Sequence, residues 1–229
     1  MIQLADILIV IPARGGSKRL PRKNILPLSG KPLICWTIEA ALAAGTNSRV
    51  MVTSDDQETL NIVKNYESKG VIAHKRPDAL ATDTATTVDT LIDAVNAEVD
   101  AGYTPRTVIL LQPTSPLRLA SDINEALIVY SENKCQDTVV SVCELEHPNA
   151  WVGVLENGNV IRGLDVSGKR SQDYRKEYRL NGAIYIIPVG CLLSRKKIFT
   201  NTIRASIMPI KRSIDIDEEF DFQLCEMSL

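Results

Sequence analysis

Histidine is scarce in this 229-residue sequence: His74 and His147 are the only two, and they lie far apart. A histidine-rich zinc site or a histidine-centred triad has little to build on. Cysteine offers no framework either. Cys35, Cys135, Cys143, Cys191 and Cys225 are scattered, odd in number and without a CxxC spacing. That pattern argues against a disulfide scaffold and predicts reduced, mostly buried thiols in a cytoplasmic protein. No apolar run approaches the ~20 residues of a membrane span. The opening "MIQLADILIVIPARGG" carries no basic segment before its apolar stretch, so it reads as a first strand, not a secretion signal. The net charge is only −2. A broad basic face for nucleic acid is therefore not expected, and neither is a membrane partner.

What the sequence does have is alternation. Apolar strand-length runs are expected at 6–13, 49–55, 71–76, 106–112 and 137–145, with helical periodicity at 32–45, 56–70, 86–102 and 120–134. Gly45 and Gly70 stop two of these helices, and Ser121 or Asp122 is the expected cap of the fourth. Such repetition predicts an α/β fold: a mostly parallel sheet with helices on both faces. Ligands then gather at the carboxyl ends of the strands, which brings the loops after residues 12, 54, 76 and 112 around one site. The pattern breaks at 147–179. A hairpin turning at Asn157-Gly158 and a polar, basic stretch read as an excursion inserted between core segments 1–146 and 180–229. A strand at 181–188 follows, then a strand, a loop and a final helix.

Against the mild overall charge, residues 13–24, "ARGGSKRLPRKN", hold five cations and no acid. Arg14, Gly15, Gly16, Ser17 and Lys18 follow directly on a buried strand. Glycines let backbone N–H groups approach oxygens, and cations neutralise charge, so this loop suits a polyphosphate. It is neither a Walker loop nor a GxGxxG turn, so a dinucleotide cofactor is not expected. Near the other end, "SIDIDEEF" sets Asp215 and Asp217 two apart, so in extended chain both carboxylates share a side. Paired hard oxygens suit Mg²⁺; the competing reading makes Asp217 a cap of the last helix. Arg19 and Arg22 read as solvated, and Arg118 as structural.

Five stretches in order, "IPARGGSKRLPRKN", "KRPDALATDTATT", "LLQPTSPLR", "RLNGAIYI" and "SIDIDEEFDF", resemble the N-acylneuraminate (CMP-sialic acid) cytidylyltransferases over nearly the whole chain. The resemblance implies a Rossmann-like nucleotidyltransferase fold binding CTP and a nine-carbon keto sugar acid. It assigns Arg14, Ser17, Lys18, Lys23 and Asn24 to the triphosphate, with Lys23 stabilising charge at the α-phosphate. It assigns Arg76, Ala85 and Thr87 to the nucleoside, and Gln112, Arg179 and Asn181 to the sugar. Arg170 stands one place from a further arginine position, where Ser171 sits, and Ala150 stands where some members carry lysine. Both departures bear on which sugar is used. Asp215 and Asp217 would hold Mg²⁺. The general base is left between Asp217 and a hydroxide held by the metal.

Other readings stay open at this point: a sugar-1-phosphate or 3-deoxy-octulosonate nucleotidyltransferase, a legionaminate or pseudaminate enzyme, or a silent nucleotide-binding scaffold. The excursion is expected to be an oligomerisation arm in a homodimer, reaching the partner's pocket.

Overall fold

A computed structural model describes residues 6–82 and 84–229. The first strand, β1 (Ile7–Ala13), shows why the core has two sides. Ile7, Ile9, Ile11 and Ala13 point into one hydrophobic cluster, while Leu8 and Val10 point into the other. That is the period-two alternation of a strand buried on both faces. After the basic loop come a two-residue ladder, β2 (Pro27–Leu28) with β3 (Lys31–Pro32), and helix α1 (Leu33–Ala43). β4 (Arg49–Ser54), α2 (Gln57–Lys64) and β5 (Val71–Lys75) follow, then α3 (Thr87–Asp100), β6 (Thr107–Leu111), α4 (Ala120–Glu132) and β7 (Thr138–Glu144). The excursion carries β8 (Val154–Glu156) and β9 (Val160–Arg162). β10 (Tyr178–Pro188), α5 (Val189–Arg195), β11 (Ile203–Ile207) and α6 (Glu219–Glu226) complete the chain.

Seven strands form one sheet in the order β11-β7-β10-β6-β1-β4-β5. The β6, β1, β4 and β5 strands run parallel, as do β7 and β11, while β10 is antiparallel to both its neighbours. α1, α2 and α4 cover one face through Ile34, Ile38, Val63, Ile123 and Leu127. α3 and α5 cover the other through Leu91, Val95 and Leu192. A third cluster, with Leu20, Leu28, Leu33, Leu117, Ile216 and Phe222, ties the basic loop to the acidic segment near the carboxyl end.

Three local expectations are corrected, and one element is added. The second helix ends at Lys64 and gives way to a separate turn at Glu67–Lys69, because Asn65 and Tyr66 already close tighter bonds to Ile62 and Val63. The fourth helix is not capped by Ser121 or Asp122. It starts after Leu119, and Asp122, one turn in, reaches back to the Leu119 N–H at 2.9 Å. α5 (Val189–Arg195) fills a stretch to which the sequence pattern assigned no element. The strand expected at 181–188 begins at Tyr178 and is longer. Cys35, Cys143 and Cys225 are buried, Cys135 and Cys191 half-buried, and all five are free.

The excursion has almost no core. Trp151, Val152, Val154, Leu155, Ile161 and Val166 are exposed. It is braced locally by His147 stacked on Trp151 and by Tyr174 edge-on to Trp151.

Candidate active site

The strand ends of β1, β5 and β6 open into a cleft of about 480 Å³. Its walls include Arg14, Ser17, Lys18, Lys23 and Asn24 from the basic loop, Arg76, Ala85 and Thr87 from the loop before α3, Gln112 from β6, and Asp217. Ten sequence-predicted residues thus share one cavity. A larger, more apolar groove of about 860 Å³ beside Trp36 and Leu229 holds none of them.

The basic loop is held from beneath. The side-chain amide of Asn24, itself buried, donates to the Arg14 carbonyl at 3.0 Å. The Gly15 N–H donates to the Asp55 carboxylate at 3.1 Å, and Ser17 N–H closes a turn onto the Gly15 carbonyl at 3.0 Å. Gly15 therefore spends its amide on Asp55. Gly15 and Gly16, expected at the phosphates, do not line this cleft, while Ser17 and Lys18 do. Gly15 is required for close approach, since a Cβ there would sit 3.0 Å from the Asp56 Cβ.

Lys23 is the best-defined cation of the loop. Its side chain is only 12% exposed and its ammonium donates to the Ile216 carbonyl, 193 positions later in the chain. The same ammonium lies 3.4 Å from the Asp217 carboxylate. Arg19, which the sequence reads as solvated, pairs with the other oxygen of Asp217 at 2.9 Å. No spacing rule would have found it, because its reach depends on the turn at 15–20. Arg22 does face outward, where it pairs with Glu58.

Arg76 is buried at the cleft wall and donates to the Thr53 carbonyl at 2.9 Å. Burial pulls its guanidinium below the ordinary arginine range, with Asp55 and Asp93 opposing and Arg14 adding to the shift. Among the described residues no carboxylate lies within ion-pair distance of it, an arrangement that favours an incoming anion or carbonyl oxygen. Thr86 caps α3, with Asp89 returning the bond in a capping box. Asp83 of the same motif lies outside the described residues.

Asp215 faces the strand ends. A Cβ on Gly182 would lie 3.4 Å from Gln112 Oε1 and 3.5 Å from Asp215 Oδ2, so the glycine (φ 76°) lets both side chains close over β10. Burial pushes the Asp215 carboxyl above the usual range. A Thr114 hydrogen bond opposes this, Asp217 adds to it and Lys23 opposes it. Asp215 Oδ1 is buried without a hydrogen-bond partner. Such an orphan oxygen beside a second carboxylate fits a hard cation. Among the described residues no third acid, histidine or cysteine converges with them. The donor set therefore fits one Mg²⁺ completed by water and phosphate oxygens, not a cage of protein ligands.

Arg118 is structural, as its sequence suggests. It is buried and donates to the Gln112 carbonyl at 3.2 Å, the Ala183 carbonyl at 2.8 Å and the Thr37 hydroxyl at 2.7 Å. It thereby fixes the backbone that presents Gln112.

The sugar-binding expectation for Asn181 meets a different arrangement. Its side chain is 2% exposed, accepts from Ser141 Oγ at 2.6 Å and donates to Ser213 Oγ at 2.8 Å. Those bonds anchor the segment leading to Asp215 and leave it no place on the cavity wall. Arg170 and Arg179 are exposed and also absent from that wall. Arg170 lies in the excursion, and Arg179 lies at the start of β10, where it pairs with Cys143 of β7.

Comparison with known proteins gives a consistent answer. A family model described as Cytidylyltransferase matches residues 8–177. The chain is 35% identical over 219 residues to an N-acylneuraminate cytidylyltransferase of Escherichia coli, covering 95% of this chain and 51% of that relative. It thus spans about half the length of that relative. It is 34% identical over 228 residues to the CMP-N,N'-diacetyllegionaminic acid synthase of Legionella pneumophila, covering 96% of this chain and 94% of the relative. Among solved structures, CMP:2-keto-3-deoxy-manno-octonic acid synthetase complexed with CTP shares the fold, with a TM-score of 0.72 at 19% identity over 97% of this chain and 98% of that one. With most of its length matched by the family model, and with a relative matched almost end to end, the chain belongs to the cytidylyltransferase family.

Proposed function

We propose that this chain transfers CMP from CTP to the anomeric hydroxyl of a 2-keto nonulosonic acid and releases pyrophosphate. One observation carries the reading: Lys23 from the amino-terminal loop and Asp217 from the carboxyl-terminal segment meet at 3.4 Å in a cleft that also holds Arg76 and Gln112. Cation and carboxylate from opposite ends of the chain are the two kinds of group that transfer from a triphosphate needs. Family membership and the named relatives support the same chemistry.

In this reading the sugar hydroxyl attacks the α-phosphorus, forming the new P–O bond as the bond to the β-phosphate oxygen breaks. Lys23 exchanges Asp217 for the phosphate as charge develops there. Arg14, Ser17 and Lys18 hold the departing pyrophosphate. Arg76, Ala85 and Thr87 orient the nucleoside, and Gln112 orients the sugar. Mg²⁺, held by Asp215 and Asp217, would neutralise phosphate charge and lower the pKa of the attacking hydroxyl. Asp217 would take the hydroxyl proton.

The cation for the sugar carboxylate is assigned to the excursion. Arg170 and Arg179 lie outside the cleft of their own chain, and the apolar residues around them are uncovered. A homodimer in which each arm reaches the partner's cleft would satisfy both facts. The free cysteines suit a cytoplasmic location, and among the described residues no helix is long and apolar enough to cross a membrane.

The test is pyrophosphate release with CTP, UTP or ATP against N-acetylneuraminate, legionaminate, pseudaminate and 3-deoxy-octulosonate. The reading expects release with CTP and one nine-carbon acid. Release with the eight-carbon 3-deoxy-octulosonate alone, or none with any acid, would overturn it.

A further inference from the structure

The peptide unit joining Arg14 to Gly15 is gripped at both ends. Its carbonyl accepts from the buried Asn24 amide at 3.0 Å, and its N–H donates to Asp55 Oδ1 at 3.1 Å. The first group lies 10 positions along the chain and the second 40. Two side chains from different elements thus fix one peptide plane, at the point where a buried strand turns into the cationic loop. A backbone plane bonded on both edges cannot flip without breaking both bonds.

Asp55 sits immediately after β4, with Asp56 behind it capping α2 through the Thr59 N–H at 2.9 Å and the Glu58 N–H at 3.4 Å. The acceptor is thereby anchored on the junction of a strand and a helix. Gly15 lies flat on that junction, with the site of its missing Cβ 3.0 Å from Asp56 Cβ and 3.7 Å from Asp55 Oδ2. A carboxylate beneath a polyphosphate loop opposes the ligand's charge. Its presence calls for a role that outweighs that repulsion.

We propose that Asp55 is a positioning residue for the nucleotide: as a hydrogen-bond acceptor it locks the Arg14–Gly15 peptide and so pre-organises the loop that presents Arg14, Ser17 and Lys18. This rests on the reading of the cleft as a CTP site. The role belongs to the acceptor oxygen and not to the charge. Asn keeps that oxygen, and Ala removes it.

The experiment compares D55N and D55A with the full-length wild type in two assays. One is calorimetric binding of CTP. The other is the rate of tryptic cleavage within residues 14–23, which needs no ligand. D55A should weaken CTP binding about tenfold to a hundredfold, the range that leaving the part-buried Gly15 N–H without its acceptor supports, and should speed loop cleavage severalfold. D55N should stay within about threefold of wild type in CTP affinity, and its loop should be cleaved at the wild-type rate. Equal effects of D55N and D55A in both assays overturn the proposal, because the charge would then be what matters. So does an unaltered D55A. If D55A does not fold, D55S, whose hydroxyl is too short to reach Gly15, makes the same comparison. Wild type that binds no CTP refutes the nucleotide reading, while the cleavage assay still decides whether Asp55 locks the loop.

Discussion

Replacing Asp215 with asparagine should stabilise the protein while abolishing its turnover. The carboxylate is half-buried, and its Oδ1 oxygen has neither solvent nor a hydrogen-bond partner. Burial is the main force raising its pKa, the Thr114 hydrogen bond opposes it, and Asp217 adds repulsion that Lys23 partly offsets. An unsatisfied buried polar group costs about 1–3 kcal/mol. Asparagine leaves a polar atom at that position but removes the charge, so the part of the cost that comes from burying a charge, roughly 1–2 kcal/mol, should be recovered. Unfolding entropy near 2.1 cal/mol/K per residue makes 1 kcal/mol worth about 2 °C in a chain of this length, so Tm should rise by about 2–4 °C. The pH dependence follows from linkage. The folded protein holds this proton more tightly than the unfolded chain, whose carboxyl titrates near 3.8. Wild type therefore loses stability as pH rises from that value through the raised one. The D215N advantage should be full at pH 7 and should shrink as pH falls toward 4. Scanning fluorimetry in EDTA across that range measures it. In the same assay with CTP and Mg²⁺, wild type should gain stability by ligand binding and D215N should gain much less. A Tm that falls at pH 7, or an advantage that persists unchanged at pH 4, would refute the argument that Asp215 is held charged against its surroundings.

Two further substitutions probe the frame around that carboxylate. R118M should lower Tm by about 6 °C or more, since the Gln112 and Ala183 carbonyls and the Thr37 hydroxyl all lose their buried donor, at about 1 kcal/mol or more each. An unchanged Tm would mean that the apolar replacement compensates for a guanidinium that burial already pulls down to about 9. G182A should cost about 1–2 kcal/mol, because φ is 76° there. It should also raise the KM for the sugar acid more than that for CTP, since its new methyl touches Gln112 and Asp215, not the basic loop; steady-state kinetics with each substrate varied in turn would show it.

Much of the fold was legible because its signals are local. β1 alternates Ile and Leu or Val into two clusters, and a strand buried on both faces has that composition wherever it occurs. The cleft was legible for a related reason: in a parallel sheet the loops after strands must share one end, so Arg14, Arg76 and Gln112 could be gathered before any distance was known. What escaped depends on contacts across the sheet. Asn181 was assigned to the sugar by the resemblance alone, with no signal of its own to show which way its amide faces. Its amide turns inward because β10 shifts register between Leu180 and Tyr185, and Ser141 and Ser213 are waiting there. Arg19 and Asp55 carry no pattern of their own. One reaches 198 positions to Asp217 and the other 40 back to Gly15, and each makes sense only once the strands that carry these segments are aligned in the sheet. The residues that touch a substrate announce themselves by chemical type. The residues that aim them are ordinary acids, amides and arginines, and only the folded arrangement tells those from the rest of the surface.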